Sequence, residues 1–517
     1  KAAPVFILMF ATIVGFLYSR FLIGRRASRY LLWSAGFIFL FITLLTLTAP
    51  DAAALTEKKV RFDFKTIFTN PLSELSHYFF KTAQPNRILE NQSNNGINPA
   101  LAQSPLARYN TDSPTHARIF PRIAFQRSHK YNIVFYFLES TSYAYKNLKY
   151  NGMDIMPNLK ALYEKGFATQ KHYANFPLSI NTFYTVLTAA YQYPDKNFIP
   201  CSRPQIPVPT IYETLKGAGF QTAVFHGSSL DNFCRRDFLK NRHVDAQVGF
   251  GELDKMQYPP IDATWQADDR AMINPFIEFM KQKPKKSKFA VVMPISPHHP
   301  YLVPSEQFNI TKKELERNQG RKEQYWLQYI NSLYFSDFVL GEFIKAMEKN
   351  HLLKNTVLFI FGDHGEAFYQ HAGNYLHSLF VYEENVRVPF VILNPVLFPQ
   401  KIHYDGISRM IDIAPTALDI VGVKAPKHYQ GLSLLSTHRQ QYALLHTQWA
   451  DDMMGIVDGN NKYIYRFADG FEELYNLSND PTEKNNLATH ERRLVDQYRS
   501  LVLNGRKASQ EFYRALH

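Results

Sequence analysis

The chain has 517 residues, of which 45% are hydrophobic and 15% are aromatic, and this composition excludes a disordered or low-complexity protein. Its formal net charge of +13 favours contact with an anionic surface. No helix-turn-helix, zinc-finger or RRM pattern is present in the sequence, so a membrane is the preferred surface and nucleic acid is not. Two cysteines, Cys201 and Cys234, exclude a disulfide framework and a Cys-based metal site. They either form one bridge in an extracytoplasmic domain or remain buried thiols.

Two apolar runs near the start of the chain, residues 4–23 and 31–49, are each long enough to cross a bilayer. The loop between them, residues 24–29, carries three arginines, and the positive-inside rule places it in the cytoplasm. We therefore expect residues 1–50 to contain two transmembrane helices, the last of a larger set. Everything after Pro50 is then predicted to lie outside the cytoplasmic (inner) membrane. A signal peptide is the alternative, but two runs joined by a basic loop do not fit one.

Residues 51–128 have the composition of a connector. Aromatic and basic residues at partly helical spacing over residues 62–80 predict an interfacial helix. The stretch 91–113 is rich in Asn, Gln, Ser and Pro and predicts a linker. Residues 129–517 are then predicted to form the extracytoplasmic domain.

From residue 130 onward, strand-like runs alternate with helical patterns. This alternation predicts an α/β fold with a mostly parallel central sheet and helices on both of its faces. The predicted strands are residues 132–138, 221–225, 288–295, 356–361, 389–393 and 442–446, and the predicted helices lie near 157–165, 181–191, 209–217, 324–349 and 409–422.

Acidic residues follow two of these predicted strands directly. The apolar run 133–138 ends at Glu139, and the run 356–361 is followed by Gly-Asp-His-Gly-Glu, which contains Asp363 and His364. Glu139 alone could be a solvated residue in a turn. Because ligands of open α/β sheets bind at the carboxyl ends of strands, the three side chains together predict a metal site at one edge of the sheet.

Four further residues that could bind a metal or a phosphate lie at or near the ends of predicted strands and helices. Ser179 precedes a helix-like run, so it is either an N-cap or a nucleophile placed where the helix dipole favours a phosphate. His226 ends a predicted strand, His298 follows another, and His377 follows Asp363 and His364 in the segment Asn-Tyr-Leu-His. One such histidine would be explained by packing, but several of them beside acidic residues favour a reaction centre.

These segments carry a resemblance to a known family. Leu-Glu-Ser-Thr-Ser, Ser-Ile-Asn-Thr, Ser-Pro-His-His-Pro-Tyr and Gly-Asp-His-Gly-Glu, in this order and spacing, resemble the sulfatase branch of the alkaline phosphatase superfamily. With membrane helices ahead of the domain, the chain looks like lipoteichoic acid synthases, phosphoglycerol transferases and phosphoethanolamine transferases. The phrase Glu-Leu-Tyr-Asn-Leu-Ser-Asn-Asp-Pro, ending at Pro481, is common in sulfatases.

The resemblance implies roles for individual residues. One divalent metal, Zn or Mn rather than Mg or Ca, would be held by the set Glu139, Ser179, Asp363 and His364, with Ser179 also in the place of the family's nucleophile. Four more residues would bind substrate phosphate or a second metal: His226, Arg236, His298 and His377. The match of Arg236 requires one inserted residue after His226, so Arg235 stays the alternative.

One departure separates the branches of the family. Sulfatases convert a Cys or Ser to formylglycine within Cys/Ser-x-Pro/Ala-x-Arg, whereas Ser179 is followed by Ile180, Asn181, Thr182 and Phe183. The expected activity is therefore transfer of a phosphoethanolamine or phosphoglycerol head group from a phospholipid donor, through Ser179, to a glycan, teichoic acid or lipid acceptor. A membrane-tethered sulfatase or phosphodiesterase is the alternative, and a degenerate binding protein is the third reading.

Overall fold

A strand of consecutive large apolar residues, β1 (Asn132–Leu138), lies in the middle of the main sheet of the computed structural model. The structure describes residues 131–192, 198–253, 255–262, 264–283, 285–317, 320–436 and 441–516. The two predicted membrane spans and the predicted connector lie outside these residues. No helix among the described residues is long and apolar enough to cross a bilayer.

Nine strands of the described chain form this sheet: β1, β2 (Phe167–Tyr173), β3 (Gln221–His226), β4 (Ala246–Val248), β5 (Lys288–Met293), β6 (Thr356–Gly362), β7 (Arg387–Leu393), β8 (Ile402–Tyr404) and β9 (Ser408–Arg409). Their order in the sheet is β8-β2-β7-β6-β1-β5-β3-β4, with β9 also paired to β2. All neighbouring pairs are parallel except those of β7, which runs antiparallel to both β2 and β6. The predicted fold class is therefore confirmed as α/β, with a mixed rather than uniform sheet.

Helices cover both faces of the sheet. Alternate residues of β1 therefore pack into two different hydrophobic clusters, one on each face. Ile133, Phe135 and Phe137 pack with the first layer of helices, and Val134, Tyr136 and Leu138 pack with the second. The first layer contains α2 (Ser179–Thr188), α3 (Ile199–Ser202), α4 (Ile211–Gly217), α5 (Arg235–Leu239) and α10 (Ile413–Ile420), and the second contains α1 (Pro157–Leu162), α6 (Ile273–Lys281) and the 29-residue α8 (Arg321–Lys349). The short helices α7 (Lys312–Arg317) and α9 (Glu383–Val386) are the remaining α-helices of the described part up to residue 436.

The predicted strand 442–446 does not join the main sheet, which corrects the expectation from its apolar run. It is β10 (Tyr442–Thr447), the first strand of an antiparallel sheet with β11 (Met453–Asp458), β12 (Asn461–Arg466) and β13 (Glu472–Asn476). One face of this sheet packs on the last helix, α11 (Arg492–Arg514), and the other packs on β2 and on residues 381–386. Because both faces of this antiparallel sheet are buried, β10 is apolar throughout, and its sequence cannot be told from that of a buried parallel strand.

Candidate active site

The register of two neighbouring parallel strands brings the first two acidic residues together. Leu138 of β1 pairs with Gly362 of β6, so the next residues, Glu139 and Asp363, leave the sheet side by side. Oδ1 of Asp363 accepts hydrogen bonds from the backbone N–H groups of Ser140 at 2.9 Å and His364 at 2.7 Å. Oδ2 of Asp363 is buried and has no hydrogen-bond partner within the described part of the chain. One carboxylate oxygen is therefore left for another ligand.

The imidazole of His364 is oriented by its own turn. Its Nδ1 lies 2.9 Å from the carbonyl oxygen of Gly365, and because a carbonyl only accepts, Nδ1 carries the proton. The Nε2 lone pair consequently faces three oxygens: it lies 3.4 Å from Oδ2 of Asp363, 3.7 Å from Oε1 of Glu139 and 2.9 Å from Oγ of Ser179. This is the tautomer that a metal ligand requires.

Ser179 is the first residue of α2 and does not cap it. The N-cap is Leu178, and no side-chain cap bond is formed there. Oγ of Ser179 lies instead 3.2 and 3.3 Å from the two carboxylate oxygens of Glu139. The N-cap interpretation of Ser179 is therefore wrong, and the hydroxyl points into the cluster of acidic residues.

The donor set fits a divalent cation. Glu139, Asp363 and His364 each offer a ligand atom within 4.8 Å of the others, and all three residues are buried. Burial raises the pKa of Glu139, and the neighbouring Asp363 carboxylate raises it further. Two carboxylates so close together in a dry site repel each other unless a cation lies between them. The unpartnered Oδ2 of Asp363 is where such a cation would bind.

A second group of ligand-type residues adjoins the first. His364, Glu366 and His377 also bring ligand atoms within 4.8 Å of one another. Oε2 of Glu366 lies 2.9 Å from Nδ1 of His377, Oε1 accepts from the hydroxyl of Tyr301 at 2.6 Å, and the rings of His364 and His377 stack 4.0 Å apart. Glu366 ends the Gly-Asp-His-Gly-Glu motif, but the sequence analysis did not select it. Its position two residues after His364 was the available signal.

The other two predicted histidines line the same region. Nδ1 of His226 lies 2.9 Å from the carbonyl oxygen of Met293, and Nδ1 of His298 lies 2.7 Å from that of His299, so each Nε2 carries a lone pair. Burial lowers the pKa of His226 to about 3 and that of His298 to about 4. It also lowers the pKa of His377 to about 4. All three rings are neutral at pH 7 and present acceptors or metal ligands rather than charged donors.

Of the two neighbouring arginines, the structure places Arg235 at the site and Arg236 at the surface. Arg235 is buried, and the carboxylates of Glu139 and Asp363 act on its charge, although burial lowers its pKa to about 10. Arg236 points the other way and pairs with Asp231 at 2.7 Å and Glu252 at 3.5 Å on the surface. The inserted residue that the match to Arg236 requires is therefore unnecessary.

The turn that carries His298 is held by a buried carboxylate, Asp269, which was not among the predicted site residues. Both oxygens of Asp269 accept backbone hydrogen bonds, from Ile295 at 2.8 Å and Ser296 at 2.9 Å. These bonds take the chain out of the sheet, so β5 ends at Met293 instead of at the predicted residue 295. Asp269 has no motif around it, and only the tertiary structure identifies it.

Comparison with known proteins assigns the class. A family model described as Sulfatase matches residues 131–423, which contain all the site residues above, so the chain belongs to the sulfatase family. This confirms the resemblance to the sulfatase-like branch of the alkaline phosphatase superfamily. A second model, described as the C-terminal region of N-sulphoglucosamine sulphohydrolase, matches residues 373–502.

Individual relatives come from both branches. The chain is 26% identical over 282 residues to an arylsulfatase of Clostridium perfringens, covering 47% of this chain and 58% of that protein. It is 25% identical over 334 residues to the lipoteichoic acid synthase-like protein YvgJ of Bacillus subtilis, covering 61% and 51%. The chain thus spans about half the length of these relatives. The crystal structure of the lipoteichoic acid synthase LtaP of Listeria monocytogenes superposes with a TM-score of 0.60 at 17% identity, over 77% of this chain and 97% of LtaP, which shows a shared fold.

Proposed function

We propose that this protein is a metal-dependent phosphotransferase that moves a phosphoethanolamine or phosphoglycerol head group from a phospholipid to a glycan, teichoic acid or lipid acceptor. The observation that carries the proposal is the position of the Ser179 hydroxyl, 3.2 Å from Glu139 and 2.9 Å from His364. A hydroxyl aimed at a cation site, on the first residue of a ten-residue helix, is placed to attack a phosphate.

The residues after Ser179 support an unmodified serine. Thr182 donates to the carbonyl oxygen of Asp363 at 2.7 Å, and Phe183 is buried at the position where the formylglycine signature has arginine. The guanidinium of Arg235 lies 5.9 Å from the Phe183 ring, so positive charge reaches this place from α5. An active site with its own guanidinium and no modification signature suits phosphoryl transfer by a serine.

The proposed cation is Zn²⁺ or Mn²⁺, because an imidazole beside two carboxylates and a hydroxyl suits these ions better than Mg²⁺ or Ca²⁺. A bound divalent cation would lower the pKa of the Ser179 hydroxyl and offset charge on the phosphate oxygens. Glu139, Asp363 and His364 would hold it. The lone pairs of His226, His298 and His377 suit a second cation, or an O–H or N–H group of the substrate, better than a phosphate oxygen.

The reaction would proceed in two displacements. Oγ of Ser179 loses its proton and attacks the phosphorus of the donor, the P–O bond to diacylglycerol breaks, and the leaving oxygen takes up a proton, so that the step releases no net proton. The acceptor hydroxyl then loses its proton and attacks the phosphorus of the phosphoserine diester, the P–O bond to Oγ of Ser179 breaks, and Oγ takes up a proton, which regenerates the Ser179 hydroxyl. Arg235, whose buried charge interacts with the two carboxylates, would stabilise negative charge on the phosphate oxygens in both steps.

The proposed location is the outer side of the cytoplasmic membrane, with the catalytic domain extracytoplasmic. Cys201 and Cys234 form a disulfide and are not free thiols. A disulfide is typical of an oxidising compartment outside the cytoplasm, which supports this location. Anchoring by the predicted spans, residues 4–23 and 31–49, would keep the domain close to lipid donors and surface acceptors.

The test is the mass of the peptide that contains Ser179. After incubation with vesicles of phosphatidylethanolamine and phosphatidylglycerol, we expect a covalent head-group phosphate on an otherwise unmodified Ser179. Vesicles containing one lipid at a time identify the donor. An aldehyde at residue 179 together with hydrolysis of a sulfate ester would overturn the proposal.

A sulfatase is the second candidate, and the match of residues 373–502 to the C-terminal region of a sulphohydrolase favours it. Arylsulfatases also stand among the relatives that cover about half of the chain. The same cluster would then assist hydrolysis with water as the final acceptor. Because those 130 or so residues lie mostly beyond the nucleophile and cation ligands, we give the chemistry around Ser179 more weight.

A further inference from the structure

The two residues before Arg235 have a backbone conformation that L residues rarely adopt. The φ angle is 53° at Phe233 and 59° at Cys234, and α5 begins directly after them. A left-handed residue with a Cβ atom costs conformational energy and persists only where its surroundings hold it. The ring of Phe233 is 47% exposed, so burial of this ring does little to hold the turn.

A disulfide ties this turn to a neighbouring element. Cys234 is bonded to Cys201 in α3, and α3 packs on α5 and also on α2, the helix that begins at Ser179. The ring of Phe198 meets Phe233 edge-on with 6.1 Å between centroids, so the same two segments also touch through the residues that precede the two cysteines. The left-handed turn is therefore anchored to the element that supports the Ser179 helix.

The guanidinium of Arg235 lies 5.7 Å from the ring of Phe233 in its own turn and 5.9 Å from the ring of Phe183 in α2. Its Nη1 donates to the carbonyl oxygen of Asn232 at 3.1 Å, inside the same turn. Its Nε is buried without a hydrogen-bond partner anywhere in the described ranges. The attraction of Glu139 and Asp363 acts at longer range than a hydrogen bond. The turn of residues 232–235 thus holds this side chain through the Asn232 carbonyl oxygen and the Phe233 ring, so its backbone conformation helps to set where the guanidinium points.

We propose that the Cys201–Cys234 disulfide is a positioning element for the active site, which holds the left-handed turn so that Arg235 faces the carboxylates of Glu139 and Asp363. The role given to Arg235 rests on the proposed phosphotransferase function. Without the bond, the turn relaxes toward right-handed conformations and the guanidinium leaves the phosphate position. The cation ligands stay in place, because they come from β1, α2 and the end of β6.

Two double variants separate this role from general stabilisation. Cys201→Ser/Cys234→Ala removes the bond and keeps a Cβ at the left-handed position, whereas Cys201→Ser/Cys234→Gly removes the bond and supplies a residue that tolerates positive φ. With bis(4-nitrophenyl) phosphate as substrate, we expect kcat/KM to fall about tenfold more in the alanine variant than in the glycine variant. Bound metal per chain should be the same in both. Equal losses in the two variants would overturn the proposal.

A mutant cycle tests whether the disulfide acts through Arg235. In an Arg235→Ala background, removing the disulfide should change kcat/KM by less than about twofold. If removing the disulfide lowers kcat/KM in the Arg235→Ala background as much as in the wild type, the bond stabilises the fold without acting through Arg235, and the proposal is overturned. If a variant fails to fold, the folded wild type can be reduced and its thiols alkylated at 25 °C, and full activity after verified reduction would also overturn the proposal.

A second substrate distinguishes failure of this inference from failure of the proposed function. The same variants are assayed with 4-nitrophenyl sulfate. Loss of sulfate ester hydrolysis with the same alanine–glycine difference would keep the positioning role and replace the phosphotransferase by the sulfatase. Loss of neither activity would overturn the positioning role alone.

Discussion

The hydroxyl oxygen of Ser179 lies 2.9 Å from Nε2 of His364, although 185 residues separate them in the chain. This distance joins the start of α2 to the end of β6 and sets the hydroxyl beside the paired carboxylates of Glu139 and Asp363. The Ser179 side chain thus contacts this cluster and not the backbone at the start of α2, where Leu178 is the N-cap residue.

The two adjacent arginines give a matched pair of variants. Arg235→Ala should lower kcat/KM for a phosphodiester about 100-fold, because removal of one preorganised positive group from a transition-state site has an effect of this size. Arg236→Ala removes an exposed side chain paired with Asp231 and Glu252, and should change kcat/KM by less than about twofold. Steady-state kinetics measures both. The reverse order of effects would contradict the placement of Arg235 in the site.

Replacement of Ser179 separates chemistry from stability. Ser179→Ala should reduce turnover by about three orders of magnitude or more, as expected when a nucleophile is removed. The free energy of unfolding should change by less than about 1 kcal/mol, because the hydroxyl caps no helix. Ser179→Thr keeps the hydroxyl and should retain measurable turnover. Full turnover of the folded alanine variant would remove Ser179 from the reaction.

Metal removal tests the cluster of acidic residues. Dialysis against a chelator should abolish turnover, and Zn²⁺ or Mn²⁺ should restore it. Asp363→Ala should lower the metal content measured on the purified protein, because one oxygen of Asp363 is buried without a partner among residues that the structure describes.

The control for this measurement is another buried carboxylate. Asp337 accepts backbone hydrogen bonds from Asn158 at 2.9 Å and Leu159 at 2.8 Å at the start of α1, away from the cluster. Asp337→Ala should lower the free energy of unfolding and leave the metal content unchanged. A metal content that is equally low in both variants would indicate general loss of structure instead of loss of a ligand.

The ion pair between Arg506 of α11 and Asp452 should stabilise the C-terminal sheet in a pH-dependent way. Nη1 and Nη2 of Arg506 donate to the two Asp452 oxygens at 2.9 and 2.6 Å. Burial raises the pKa of Asp452, but hydrogen bonds from His446 and Arg506 outweigh this and hold it well below its usual range. A carboxyl with a depressed folded pKa stabilises the fold above its unfolded pKa, and this stability is lost as the pH falls through the folded value.

Arg506→Met keeps the apolar stem and removes the charge. At pH 7 it should lower the free energy of unfolding by about 2 kcal/mol. The difference from the wild type should shrink as the pH falls below about 4, the ordinary pKa of Asp. Urea unfolding at several pH values measures this. Lys507→Met, at the exposed neighbouring position, should have no such effect, and a pH-independent difference for Arg506→Met would contradict the ion-pair explanation.

The alternation of apolar runs was sufficient to predict the α/β class and five of the strands in the main sheet, because a strand buried on both faces must be apolar throughout. The same rule misplaced β10. Its faces are covered by α11 and by the main domain, and a local pattern does not say which layer covers a strand. The less apolar β2 also escaped prediction, although it is as long as β1 and pairs with β7 inside the sheet.

For the candidate site, the sequence by itself determined the ligand chemistry. Glu139, Asp363 and His364 end apolar runs, and parallel strands bring their carboxyl ends to one edge. Only the tertiary structure decided which groups face that edge from elsewhere. It selected Arg235 over Arg236. Adjacent residues of a helix point about 100° apart, so the rotation of α5 about its own axis decides which arginine faces the site. The two left-handed residues and the disulfide directly before α5 set where this helix begins. This rotation depends on contacts between segments distant in the chain, and a local sequence pattern does not predict such contacts.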